Sequence, residues 1–243
     1  MTSGTIAENV AQVRARIAEA CARAGRDPAG VTLVAVSKQC APEAILQVAA
    51  AGVTDFGENR VEEARAKLPH LRGAGLTWHM VGHIQSRKAD EAATLFDMVH
   101  SVDSVRLAGR LSRFVAGERP LPILLEINVS GEASKYGWPA ARWRDDREQR
   151  RALWEDVRAI LALPNLCVRG LMTMAPIAPD MEQVRPVFAG LRALRDALAA
   201  DFPAADWVHL SMGMTDDYPA AVEEGATLVR IGRAIFDGVG SCG

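Results

Sequence analysis

Val31-Thr-Leu-Val-Ala-Val-Ser37 is an almost unbroken apolar run, and Lys38 follows it directly. So short a run, rich in β-branched residues, reads as a strand buried on both faces, as strands of a parallel sheet are. Upstream, Ile6, Val10, Val13, Ile17 and Cys21 recur at helical spacing until Gly25 and Pro28, so an amphipathic helix comes first. Downstream, residues 42–51 carry a helical pattern and residues 53–56 begin a second apolar run.

That alternation continues. Strands are expected at 31–37, 53–56, 76–81, 98–102, 123–129, 168–174, 207–210 and 228–231. Helices are expected at 42–51, 60–68, 84–95, 104–116, 148–161, 181–200 and 219–224. Strands alternating with helices imply βαβ units and a parallel sheet. Eight such units in 243 residues predict an α/β fold, a closed (β/α)8 TIM-type barrel forming a single domain over residues 1–243. The opening helix is extra to the eight-fold pattern.

Bulk composition narrows the function classes. Apolar residues make up 49% of the chain and charged residues 24%, the balance of a globular protein with a real core. A formal net charge of −2 offers no general field for nucleic acid or an anionic membrane, so neither is expected as a partner. Residues 142–151 hold five arginines among Asp145, Asp146 and Glu148, which reads as a solvated loop and helix start. Cys21, Cys40, Cys167 and Cys242 are scattered, which predicts free thiols in a reducing cytosol. The N-terminus lacks a signal-peptide pattern, and no apolar run approaches the ~20 residues needed to cross a bilayer. A cytoplasmic monomer is the expectation.

Active sites of such barrels lie at the carboxyl ends of the strands, where the loops converge. Lys38 stands at the first. It shares a strand face with Val34 and Val36, and if that face points inward the amine sits over an apolar floor. Desolvation there would free a neutral nucleophile able to form a Schiff base with an aldehyde; the alternative is an ordinary solvated lysine. Barrels often bind phosphate after strands seven and eight. Ser211 and Gly213 follow the seventh, and Gly232 and Arg233 follow the eighth, offering a hydroxyl and backbone N–H donors. Arg230 shares a face with Leu228 and Gly232, so it is expected inside the barrel, against a ring nitrogen or in an ion pair with Glu58. His79, His83 and His209 do not combine into a metal-binding motif, so no metal is expected, and His79 and His209 read as hydrogen-bonded interior residues.

Val34-Ala-Val-Ser-Lys38, Phe56-Gly-Glu-Asn59, His79-Met-Val-Gly82, Ser134-Lys-Tyr-Gly137, Gly170-Leu-Met-Thr173, Leu210-Ser-Met-Gly-Met214 and Arg230-Ile-Gly232 follow one another in an order already familiar. Together they resemble the pyridoxal 5′-phosphate homeostasis proteins, also called the proline synthase co-transcribed family. The resemblance spans residues 35–236. It implies a barrel like the N-terminal domain of alanine racemase, with no second domain. Pyridoxal 5′-phosphate would be the cofactor, held as a Schiff base on Lys38. Ser211 matches the phosphate-contacting serine, Gly232 and Arg233 a backbone cradle for that phosphate, Arg230 the arginine beside the pyridine nitrogen, and Asn59 a residue near the ring.

The family is regarded as one of cofactor carriers and regulators without established catalysis. The expected function is therefore storage, buffering or delivery, with apo-forms of pyridoxal phosphate enzymes as recipients. The alternative is a racemase or decarboxylase of weak activity, for which Tyr136 and Tyr218 are the only tyrosines available. An aldolase-like barrel with a sugar phosphate on Lys38 is a third. Two positions depart from the family pattern: Arg87 replaces an asparagine after the third strand, and Asp237 replaces a glycine near the end.

Overall fold

The computed structural model describes residues 4–117, 119–237 and 242. Helix α1 (Ile6–Arg23) is followed by β1 (Thr32–Val36), α2 (Pro42–Ala50), β2 (Asp55–Glu58), α3 (Val61–Lys67), β3 (Thr77–Met80), α4 (Ala89–Leu95), β4 (Met98–Val102), α5 (Val105–Phe114) and β5 (Leu121–Asn128). Next come β6 (Trp138–Pro139), α6 (Arg147–Leu161), β7 (Leu166–Met172), α7 (Arg185–Asp201), β8 (His209–Ser211), α8 (Tyr218–Glu223), β9 (Leu228–Ile231) and α9 (Arg233–Phe236). All pairings between these strands are parallel. The ring β1-β2-β3-β4-β5-β7-β8-β9 closes through β9 on β1, while the short β6 lies outside it against β5. The expected (β/α)8 barrel is the observed one.

Strand alternation gives the barrel two apolar layers. Val34, Leu124, Met172 and Leu228 meet inside it, with Met98 and Met174 packed on them. Their neighbours along the strands, such as Ala35, Leu125, Leu171 and Val229, face outward into the larger core under the helices. Local signals set the helix starts. Ser104 Oγ accepts the N–H of Leu107 at 3.3 Å ahead of α5, and Asp146 accepts from Glu148 and Gln149 at 3.1 and 3.0 Å ahead of α6. Thr5 and Glu8 form a reciprocal capping box at α1. The extra helix has a packing reason. Helices α8 and α9 span only 6 and 4 residues, and α1 lies against both, burying Ile6, Val10, Val13 and Ile17.

Several expectations need correction: β7 runs Leu166–Met172 rather than 168–174, and β8 runs His209–Ser211 rather than 207–210. The second strand runs Asp55–Glu58 rather than 53–56, because Gly57 and Glu58 belong to the buried mouth of the barrel. The helix expected at 84–95 starts only at Ala89, and residues 82–88 remain a loop with one 3-10 turn. Nor are all four cysteines free. Cys40 and Cys242 form a disulfide, with Cys21 buried and Cys167 partly buried as free thiols. Closure sets β9 beside β1, and beyond that pairing the disulfide joins residues 202 apart in the chain. Spacing along the sequence carries no trace of that. The arginines of 142–151 behave as read: Arg150 lies over the rings of Trp143 and Trp154, at 5.9 and 4.7 Å.

Candidate functional site

The turn that carries Lys38 is built by its neighbours. Strand β1 ends at Val36, and Cys40 N–H closes the turn on Ser37 C=O at 3.1 Å. Gln39 adopts φ +59°, unusual for a side-chain-bearing residue, and its N–H is held by the Glu63 carboxylate. Lys67 supports the turn from inside. Its ammonium donates to Ser37 C=O at 2.6 Å and Glu58 Oε1 at 2.9 Å, and forms an ion pair with Glu63 Oε1 at 2.6 Å. Ser37 Oγ donates to the same Glu58 oxygen at 2.7 Å. Thus Glu58 pairs with Lys67, and the alternative of a Glu58–Arg230 ion pair is not realised. Val34 belongs to the interior layer, but β1 ends at Val36, so Lys38 stands in the turn beyond the strand and alternation no longer fixes its face. Its side chain is exposed at the rim and not enclosed over an apolar floor as the strand pattern suggested.

Inside the barrel a chain of polar groups crosses from the β9 wall to the start of β2. Arg230 NH1 donates to Ser211 Oγ at 2.7 Å. Ser211 Oγ lies 2.9 Å from His100 Nδ1, His100 Nε2 lies 2.9 Å from His79 Nδ1, and His79 Nε2 lies 3.0 Å from Asp55 Oδ1. One hydrogen per link satisfies each nitrogen: Ser211 donates to His100, His100 to His79, and His79 to Asp55. Burial drives His100 well below the ordinary histidine range, with the charges of His79, Arg230 and His209 adding to the effect, so its ring is neutral. Arg230 also donates through NH2 to Thr173 C=O at 2.9 Å. Burial lowers it to about 10, leaving it charged at neutral pH. The Ser211 hydroxyl therefore donates to His100 and accepts from Arg230, in a side chain with no exposed surface.

The rim above is shaped by glycines. Gly213 has φ +92°, and a Cβ there would meet Ala221 Cβ at 2.7 Å and Tyr218 Cα at 2.9 Å. Its carbonyl accepts Arg230 N–H at 3.0 Å, tying the loop after β8 to β9. A Cβ on Gly232 would sit 3.4 Å from Val36 C=O, so this backbone runs close beside the root of the Lys38 turn. Thr215 Oγ1 accepts Ala234 N–H at 3.5 Å across the two loops. Arg233 points outward and pairs with Asp216. Asn59, at the end of β2, keeps a buried Oδ1 without a partner, as does Glu126 Oε2 on β5, opposite β1 in the ring. Burial, with help from Asp103, pushes the Glu126 carboxyl up to about 7.

Residues 5–238 match the family model described as alanine racemase, N-terminal domain. A Pseudomonas aeruginosa protein named pyridoxal phosphate homeostasis protein is 46% identical over 233 residues, covering 96% of this chain and 95% of its own. The chain belongs to the pyridoxal phosphate homeostasis protein family. The member from Escherichia coli strain K12 is 41% identical over 238 residues, with 95% of each chain covered. The solved structure of PipY from Synechococcus elongatus with PLP bound superposes with a TM-score of 0.77, at 37% identity, covering 96% of this chain and 100% of that one.

Of the residues singled out in the sequence, Lys38, Asn59, Gly213, Gly232 and Arg233 lie at the adjoining ends of β1, β2, β8 and β9. Ser211 and Arg230 lie beneath them, inside the wall. Sequence reading missed His100, Thr215, Lys67 and Glu126. His100 was within reach, since it alternates with Met98 of the interior layer on β4. Family membership does not betray Lys67, whose role depends on how α3 packs behind β2.

Proposed function

We propose that this chain binds pyridoxal 5′-phosphate, holds it covalently through Lys38 as a Schiff base, and serves homeostasis of the cofactor by storing it and handing it over. The observation that carries this reading is the convergence of Lys38, the glycine-built loops at Gly213 and Gly232, and Arg230 on one sector of the barrel mouth. A PLP-bound relative of the same fold supports it.

The residues present fit the cofactor. Backbone N–H groups of Gly213, Gly232 and Arg233, with the Thr215 hydroxyl, would receive the phosphate. Three hydrogen bonds are drawn from Arg230 through NH1 and NH2, to Ser211, Thr173 and Met174. A guanidinium has five N–H donors, so it retains capacity for the ring nitrogen. Asn59 Oδ1, buried without a partner, would be available as an acceptor near the ring. When bound, the cofactor supplies an aldehyde that captures amines and a ring that can accept electron density. Because Arg230 stays charged, it keeps a proton off that nitrogen and so weakens the ring as an electron sink. Ser211, which accepts from Arg230, would orient it at the foot of the phosphate cradle.

A carrier is favoured over a racemase by Tyr218. Its ring is fully buried on α8 beneath Arg16, whose guanidinium carbon lies 5.3 Å from the ring centre, so it is not presented to the mouth as an acid or base. Residues 1–243 would act as one domain and as a cytoplasmic monomer, with apo-forms of pyridoxal phosphate enzymes as recipients. No described helix is long and apolar enough to cross a membrane. Replacing Lys38→Ala tests the covalent link. The purified variant should lose the visible absorbance band and release all its cofactor on gel filtration. Retention of the band would contradict the assignment.

A further inference from the structure

We propose that Cys40 and Cys242 form a reversible thiol–disulfide latch that sets how tightly the mouth of the barrel keeps its cofactor; this rests on the reading that Lys38 holds that cofactor. Cys40 is part of the Lys38 turn itself. Its N–H closes the turn on Ser37, and its sulfur lies 3.5 Å from the carbonyl of Lys38. Cys242 pairs with it in an antiparallel bridge and through the disulfide. Cys242 lies downstream of α9 (Arg233–Phe236), whose N-cap Gly232 and first residue Arg233 form the proposed phosphate cradle. The bond therefore fastens the turn that holds the aldehyde to a residue beyond that cradle.

The pair is placed for exchange. Cys40 is buried at 4% exposure while Cys242 is only partly covered, so Cys242 is the sulfur a small disulfide reaches first. Its thiolate attacks one sulfur of oxidised glutathione and expels one glutathione thiolate. The Cys40 thiolate then attacks the Cys242 sulfur of the mixed disulfide and expels the second. Two cysteine thiols lose two protons and two electrons, and one glutathione disulfide becomes two glutathione thiols. A dithiol reductant reverses the sequence. Cys21 is buried and Cys167 lies away from the pair, on β7, so neither competes.

The test uses the full chain loaded with pyridoxal phosphate, in oxidised and dithiothreitol-reduced forms. Alkylation and mass mapping should find a Cys40–Cys242 peptide in the first and four free thiols in the second. Release of cofactor into excess semicarbazide should be several-fold slower for the oxidised form, and Cys242→Ser should release at the reduced rate under both conditions. Borohydride reduction of the same samples reports attachment at Lys38. Equal release rates with the Lys38 adduct present overturn the latch alone. Absence of that adduct in both forms overturns the cofactor reading, and with it the latch.

Discussion

Glu126 shows how much a single interior residue sets the chemistry of the mouth. Its carboxyl titrates near 7 in the fold against 4.5 as an ordinary glutamate, because burial disfavours its charge and Asp103 adds to the effect. Between those values the folded chain holds a proton that the unfolded chain has released, so stability falls as pH rises through that window. The shift corresponds to about 3 kcal/mol. His100 acts in the opposite sense, losing stability as pH falls below the ordinary histidine value, so the comparison must be made against a matched variant. Glu126→Gln should therefore gain on the parent between pH 5 and pH 8, by about 3 kcal/mol in urea melts. Parallel melts at both pH values would show that Glu126 is ionised throughout. At the same scale, the inward position of Arg230 was legible from strand alternation with Leu228, which does join the interior layer. The engagement of Ser211 was not, because it depends on His100 across the barrel.

Among the elements, the β1 turn and α3 depend on each other. Lys67 is the last residue of α3, yet its ammonium bonds Ser37 and Glu58 beneath Lys38. Its side chain is 10% exposed and that of Glu58 is fully covered. Lys67→Met would leave Glu58 buried without its cation, a loss of about 3–5 kcal/mol by analogy with other broken buried pairs. A denaturant titration measures it; a change within the range of a surface substitution would mean that the pair is solvated. Apolar periodicity located most of the elements because each strand is covered on both faces. It misplaced β2 by two residues, since Gly57 and Glu58 carry no apolar signal although both are buried. It also missed β6, which is too short to show a period.

For the whole molecule, barrel closure joins what the sequence separates. The first and last strands pair, so Lys38, Gly213, Gly232 and the Cys40–Cys242 disulfide meet in one sector of the mouth. The fold class was readable because alternation with period two for strands and 3.6 for helices repeats along the chain. The disulfide was not, because only the closed ring brings its halves together. The central claim is that Lys38 carries the cofactor. Borohydride reduction of the loaded protein followed by peptide mapping tests it most directly. A pyridoxyl-phosphate mass on the peptide that contains Lys38 is the predicted result; label confined to other lysines, such as Lys67, Lys88 or Lys135, would contradict it.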